Sequence, residues 1–277
     1  MNFAQSSAVY FNYSLEYAIR DLHRLGYEGI EIWGGRPHMY RTDLEVEPLV
    51  SLLRSLEMHV CNLIPAQFRY PSLLCSDNEE VRRDSVSYIV SAMRNAVAVG
   101  SPSVSLCPGM VLWDHDLEVG RRQLRTSMLE LAEINAAEFH LKLLIEPAHR
   151  YETNLLLTVE QTIEFIDSLD SMDFGILIDT GHCNVNGEDL AAAIKTAKNL
   201  PLHVHVDDNH GDVDAHLVPG EGSIDFSEIP AALDAIGYRG FLSAELGPRY
   251  IMNPGDACRQ TLEWFRNTFT GSQSGQR

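Results

Sequence analysis

Short β-branched apolar runs alternate with longer amphipathic stretches from one end of this chain to the other, and no other feature limits its possible folds so strongly. Eight runs read as strands: FAQSS near Phe3, GIEIWG (29–34), HVCNLI (59–64), PSVSLC (102–107), LKLLIE (141–146), FGILID (174–179), LHVHV (202–206) and GFLSAE (240–245). Helical patterns lie between them, among others at 14–25, 43–56, 78–99 and 121–139. In the first, Leu15, Ala18, Ile19 and Leu22 share one face at helical spacing. Gly26, Gly100 and Gly237 stand where helices give way to strands, the place for a left-handed cap. Thr158 and Gln161 mark a helix start, because each can satisfy the other's free backbone donor. Parallel strands need crossover connections, and eight strand–helix units in strict alternation close into a barrel. An open doubly wound sheet usually has fewer strands, and no GxGxxG follows the first one here. The expected fold is α/β: a single-domain (β/α)8 TIM barrel over 1–270, with 271–277 a polar disordered tail.

Charge narrows the partners. Lys plus Arg number 21 against 39 Asp plus Glu, a net charge of -18. Such a surface repels phosphate backbones and anionic lipids, so neither nucleic acid nor membrane is expected. No run approaches the roughly 18 apolar residues of a membrane helix. The start, MNFAQSSAVYF, lacks the basic region and long apolar run of a secretory signal. Five scattered cysteines without a CxxC pair read as reduced thiols, and the expected compartment is the cytoplasm.

In a barrel of this kind chemistry gathers at the carboxyl ends of the strands. Four successive strands end in candidate groups: Glu146, then Asp179 with His182, then His205, then Glu245. Three converging carboxylates repel one another unless a cation compensates them. Three carboxylates and an imidazole suit Mn²⁺, Mg²⁺ or Co²⁺, whereas structural zinc would prefer thiolates. Singly, each residue has a plainer reading. Glu146 or Asp179 could cap the following helix, one of His203 and His205 could be a core histidine, and Glu245 could pair with Arg249. Their coincidence on consecutive strands favours the metal.

Other residues carry weaker signals. Trp33, before Gly34–Gly35, could wall a substrate or pack in the core. Arg36 and His38 could meet an anionic substituent or be solvated. Trp113 and Trp264 suggest an oligomer contact or helix packing, with packing favoured, and the glycines of 220–222 mark a tight turn.

The series Glu146, Asp179, His205, Glu245, with YEGIEIWGGRPH (27–38), IEPAHRYETN (145–154) and HVHVDDNHGDVDAHLVPGEG (203–222), resembles the xylose isomerase-like barrels. That group includes ketose 3-epimerases, hydroxypyruvate isomerases and endonuclease IV, and the similarity is greatest to the fructoselysine 3-epimerase branch. The resemblance implies a divalent-metal-dependent sugar epimerase that inverts C3 of a ketose or ketose-amine through an enediolate. Aldose–ketose or hydroxypyruvate-type isomerisation is the alternative. It implies that Glu146, Asp179, His205 and Glu245 hold one metal ion, Mn²⁺ first, with Co²⁺, Mg²⁺ or Zn²⁺ accepted. Glu146 and Glu245 would be the acid–base pair. Glu152, His182, His216 and Trp33 would contact a small sugar substrate, and the chain would be a homo-oligomer. Tyr70–Pro71 falls where relatives carry a lid. In endonuclease IV relatives an Asp-x-His like Asp214 and His216 helps hold a further zinc, together with histidines after the third and fourth strands. Here those strands end NLIPA and SLCPG, with Cys107 where a histidine is expected, so Asp214 and His216 are read as substrate-shaping or loop-ordering.

Overall fold

The structure, a computed structural model, describes residues 1–269 apart from residue 43 and residues 68–71. The expected tail and the Tyr70–Pro71 lid therefore lie outside the described residues. The strands are β1 (Asn2–Ser6), β2 (Gly29–Trp33), β3 (His59–Ile64), β4 (Ser103–Leu106), β5 (Lys142–Ile145), β6 (Phe174–Asp179), β7 (Leu202–Val206) and β8 (Phe241–Ala244). Every neighbouring pair is parallel, and β1 pairs with β8 to close the barrel. The expected barrel is the observed one.

The helices are α1 (Leu15–Leu25), α2 (Val46–Ser55), α3 (Glu79–Val99), α4 (Leu117–Glu138), α5 (Val159–Leu169), α6 (Thr180–Asn186), α7 (Leu190–Thr196), α8 (Ile229–Ala235) and α9 (Pro254–Phe269). Among the described residues, strict one-to-one alternation fails once, after β6. There α6 stops at Gly187, in the left-handed region at φ 74°, and Asp189 caps a separate α7 by accepting from the Ala192 N–H. Two short 3-10 turns, Ser7–Tyr10 and Pro248–Tyr250, complete the carboxyl-end loops.

Local signals explain most boundaries. Gly26, Gly100 and Gly237 all take positive φ as expected. Thr158 Oγ1 accepts from the Gln161 N–H as expected, but Gln161 Oε1 turns to the N–H of Leu157 instead of Thr158. The predicted face of α1 is buried, and its helix ends on a left-handed Gly26. Between strands and helices runs one continuous apolar core, and α9 seals the first strand by stacking Phe265 on Phe3 at 4.9 Å. Trp264 packs on Phe226 with ring centroids 4.7 Å apart, as expected. Trp113 does not pack: it is 82% exposed, because it falls in the loop after β4 before α4 begins.

Register carries the fold into the site. Asp179 lies opposite His205 across β6–β7, and His205 opposite Ser243 across β7–β8. Glu146 follows β5 immediately and is anchored by its N–H to the Leu106 carbonyl at 3.0 Å.

Candidate metal centre and active site

The four strand-end residues meet. One ligand atom each from Glu146, Asp179, His205 and Glu245 lies within 4.8 Å of the others. His205 is central, its Nδ1 3.0 Å from Glu245 Oε2 and 3.6 Å from both Glu146 Oε1 and Asp179 Oδ2. Glu245 thus faces this histidine and not Arg249.

Asp179 satisfies two readings at once. Its Oδ1 caps α6 by accepting from the His182 N–H at 2.8 Å. Its Oδ2 is buried with no hydrogen-bond partner, and so is His205 Nδ1. Unpaired polar atoms at such depth are costly unless something completes them. Two orphaned ligand atoms, facing two further carboxylates, fit a hard or borderline divalent cation. Burial pushes the Glu146 carboxyl above its ordinary range.

The other expected site residues gather around this centre. His182 donates from Nδ1 to the Pro147 carbonyl at 3.1 Å and points Nε2 at Asp214 Oδ2, 3.3 Å away. His216 lies between two buried carboxylates, Nε2 2.7 Å from Asp214 Oδ2 and Nδ1 2.7 Å from Asp207 Oδ2. Glu152 Oε2 is 3.9 Å from His182 Nε2. Above them opens a cavity of about 430 Å³ lined by Phe11, Trp33, Glu152, Asp214, His216 and Glu245, with an apolar rim. Trp33 is therefore a wall of this cavity, braced by Phe11 at 5.3 Å.

Asp214 and His216 belong to an ordered turn as well as to the site. The segment 208–224 wraps around Asp208, whose carboxylate accepts the N–H groups of Asn209, Gly220, Gly222 and Ile224 at 2.9–3.1 Å. His38, weighed as an anion contact, is fully buried and structural: it accepts from Ser7 Oγ at 3.0 Å and donates to the Tyr13 carbonyl. Arg36 stacks over Tyr40 at 4.2 Å.

Sequence reasoning passed over three groups. Glu31, buried on β2, holds both His203 and His205. His149 accepts the Tyr151 N–H on Nδ1 and faces Glu152 and Asp214 with Nε2, 3.5 Å from each. Asp207 accepts the Gly181 N–H as well as meeting His216. Glu31 did leave a signal, since a lone acid inside an apolar parallel strand requires a buried partner.

The profile of the xylose isomerase-like TIM barrel family matches residues 19–268. Fructoselysine 3-epimerase of Escherichia coli O157:H7 is 30% identical over 263 residues, covering 91% of this chain and 92% of that one. The crystal structure of a D-tagatose 3-epimerase-like protein superposes with a TM-score of 0.84 at 25% identity, covering 99% of this chain and all of its own. The IolI protein, whose structure carries a zinc atom, shares the fold with a TM-score of 0.83 at 20% identity, over 98% of this chain and 99% of that one. The named epimerases among these relatives are enzymes of the isomerase class, and the chain belongs to the xylose isomerase-like TIM barrel family.

Proposed function

We propose that this isomerase is a divalent-metal-dependent epimerase that inverts C3 of a ketose or ketose-amine, with Glu146 and Glu245 as its acid–base pair. The observation that carries this reading is the arrangement of those two glutamates. They come from the ends of β5 and β8 and flank His205, whose Nδ1 reaches both. Inversion requires one group to remove a proton from a carbon and another to return it on the opposite face. Two separately anchored carboxylates can do so.

Glu146, Asp179, His205 and Glu245 would hold the ion, Mn²⁺ foremost. When bound, it supplies Lewis-acid stabilisation of negative charge on the substrate's carbonyl and hydroxyl oxygens. His182, His216 and Glu152 offer donors and acceptors for sugar hydroxyls, and Trp33 with Phe11 forms an apolar wall. Among the described residues lining the mouth, the carboxylates Glu152, Asp214 and Glu245 dominate the charge. That sign favours neutral or cationic ketoses over phosphorylated ones. The names of the relatives point to the same substrate class.

The test is proton NMR in D₂O with fructoselysine and free ketoses, using chelator-treated and Mn²⁺- or Mg²⁺-restored protein. Metal-dependent deuterium incorporation at C3 with formation of the C3 epimer is expected. An aldose product would assign aldose–ketose isomerisation instead. Absence of exchange with every ketose would reject the proposal.

A further inference from the structure

Beneath the quartet, inside the barrel, a single carboxylate serves two histidines. Glu31 on β2 is fully buried and accepts from His203 Nε2 at 3.0 Å, His205 Nε2 at 2.9 Å and Asn62 Nδ2 at 3.0 Å. Asn62 is held in turn by Ser103 Oγ, which donates to its Oδ1 at 2.7 Å, and itself donates to Ser105 Oγ. The carboxylate is thus fixed by β3, β4 and β7 and cannot swing away.

We infer that Glu31 is a positioning residue that selects which nitrogen His205 presents to the metal, an inference that rests on the metal reading of the quartet. An ionised carboxylate only accepts, so the His205 nitrogen facing it must carry a proton. With Nε2–H directed at Glu31, the lone pair is on Nδ1, the atom that lies among Glu146, Asp179 and Glu245. The same contact orients the ring and strengthens Nδ1 as a donor to a cation.

A carboxamide at this position breaks the logic without changing shape. With the amide oxygen in the place of Oε2, where His203, His205 and Asn62 converge, the NH₂ of Gln replaces Oε1, which lies 2.9 Å from His205 Nε2, and demands a lone pair there. If His205 supplies that lone pair from Nε2, its proton moves to Nδ1 and blocks the ligand position. His203 is a built-in control, because it meets the same carboxylate and stands edge-on to the His205 ring at 5.5 Å but supplies no ligand atom to the quartet.

The experiment measures Mn²⁺ and Zn²⁺ binding by calorimetry to full-length wild type, Glu31→Gln, Glu31→Asp and His203→Gln, alongside melting of each metal-free form. Affinity is expected to fall about 10–100-fold in Glu31→Gln, partly recover in Glu31→Asp, and stay within about threefold of wild type in His203→Gln. Equal affinity in wild type and Glu31→Gln overturns the inference and leaves the metal reading intact. So does an equal loss in His203→Gln, which would make the effect one of general packing. A wild-type chain that takes up neither metal overturns both. Should Glu31→Gln not fold, long-range ¹⁵N–¹H spectra of the metal-free wild type still decide. A proton on His205 Nε2 supports the inference, and a His205 protonated on Nδ1 alone overturns it.

Discussion

Gly222 lies against the carboxylate of Asp208 with no space for a side chain: its N–H donates to Oδ2 at 3.0 Å, and a Cβ there would stand 2.2 Å from Oδ1. Neither partner can yield, since Asp208 is pinned by three further backbone N–H groups and the Asn209 carbonyl would lie 2.5 Å from the same Cβ. Gly222→Ala should therefore cost about 2–4 kcal/mol in chemical denaturation. Asp208→Ala should cost a similar amount by leaving four backbone donors, one buried and the others at least partly shielded by the turn, without their acceptor. Because this wrapped segment carries Asp214 and His216, both variants should also lose turnover. Stability of Gly222→Ala within about 0.5 kcal/mol of wild type would contradict the packing argument.

Glu146→Gln and Glu245→Gln each retain side-chain volume while removing a proton-transfer group. Turnover should drop about 10²–10⁴-fold in each, with circular dichroism unchanged. Near-normal turnover in both variants would rule out the two-base mechanism.

What could be seen from sequence follows from how far each interaction reaches along the chain. The eight strands and the quartet are legible because apolar runs ending in Glu, Asp or His are local patterns, and the barrel rule places those ends together. The partner of Glu31 is not: its lone charge in an apolar strand signals that one exists, but His203 is 172 positions away and only barrel closure brings them together. The division of α6 from α7 escaped because Gly187 and Asp189 sit inside a stretch that otherwise continues as helix. His38 misled in the opposite direction. Its position beside Arg36 suggests an exposed loop, whereas Ser7 and Tyr13 draw it into the core.

At the start of α3, Glu79 accepts from both Arg82 and Arg83, and these contacts pull its pKa down to about 2. A carboxylate depressed by folding adds stability that is complete above its unfolded value of about 4.3 and fades as pH falls toward the folded value. The group is solvent-exposed, so the effect is small. Glu79→Gln should lower the melting temperature by about 1–2 °C at pH 6–7, and the difference should shrink steadily toward pH 3.5. A difference that grows on acidification would reverse the sign and reject this assignment.

Metal removal should destabilise the fold, because the site is built from groups that do not suit one another alone. Asp179 Oδ2 and His205 Nδ1 are buried and unpaired, and three carboxylates crowd one imidazole. A ligand that binds only the folded state at about 100 times its Kd adds about 2.7 kcal/mol. For a chain of this size, chelation should therefore lower the melting temperature by several degrees, and Mn²⁺ should restore it. Asp179→Asn separates the two roles of that side chain. Its amide oxygen can still cap α6 in place of Oδ1, whereas the ligand charge is lost. Its melting should become indifferent to metal and should equal or exceed that of metal-free wild type, because one of the mutually repelling charges is gone. Wild-type melting that is unchanged by chelation and by Mn²⁺ would mean that the quartet does not bind the ion.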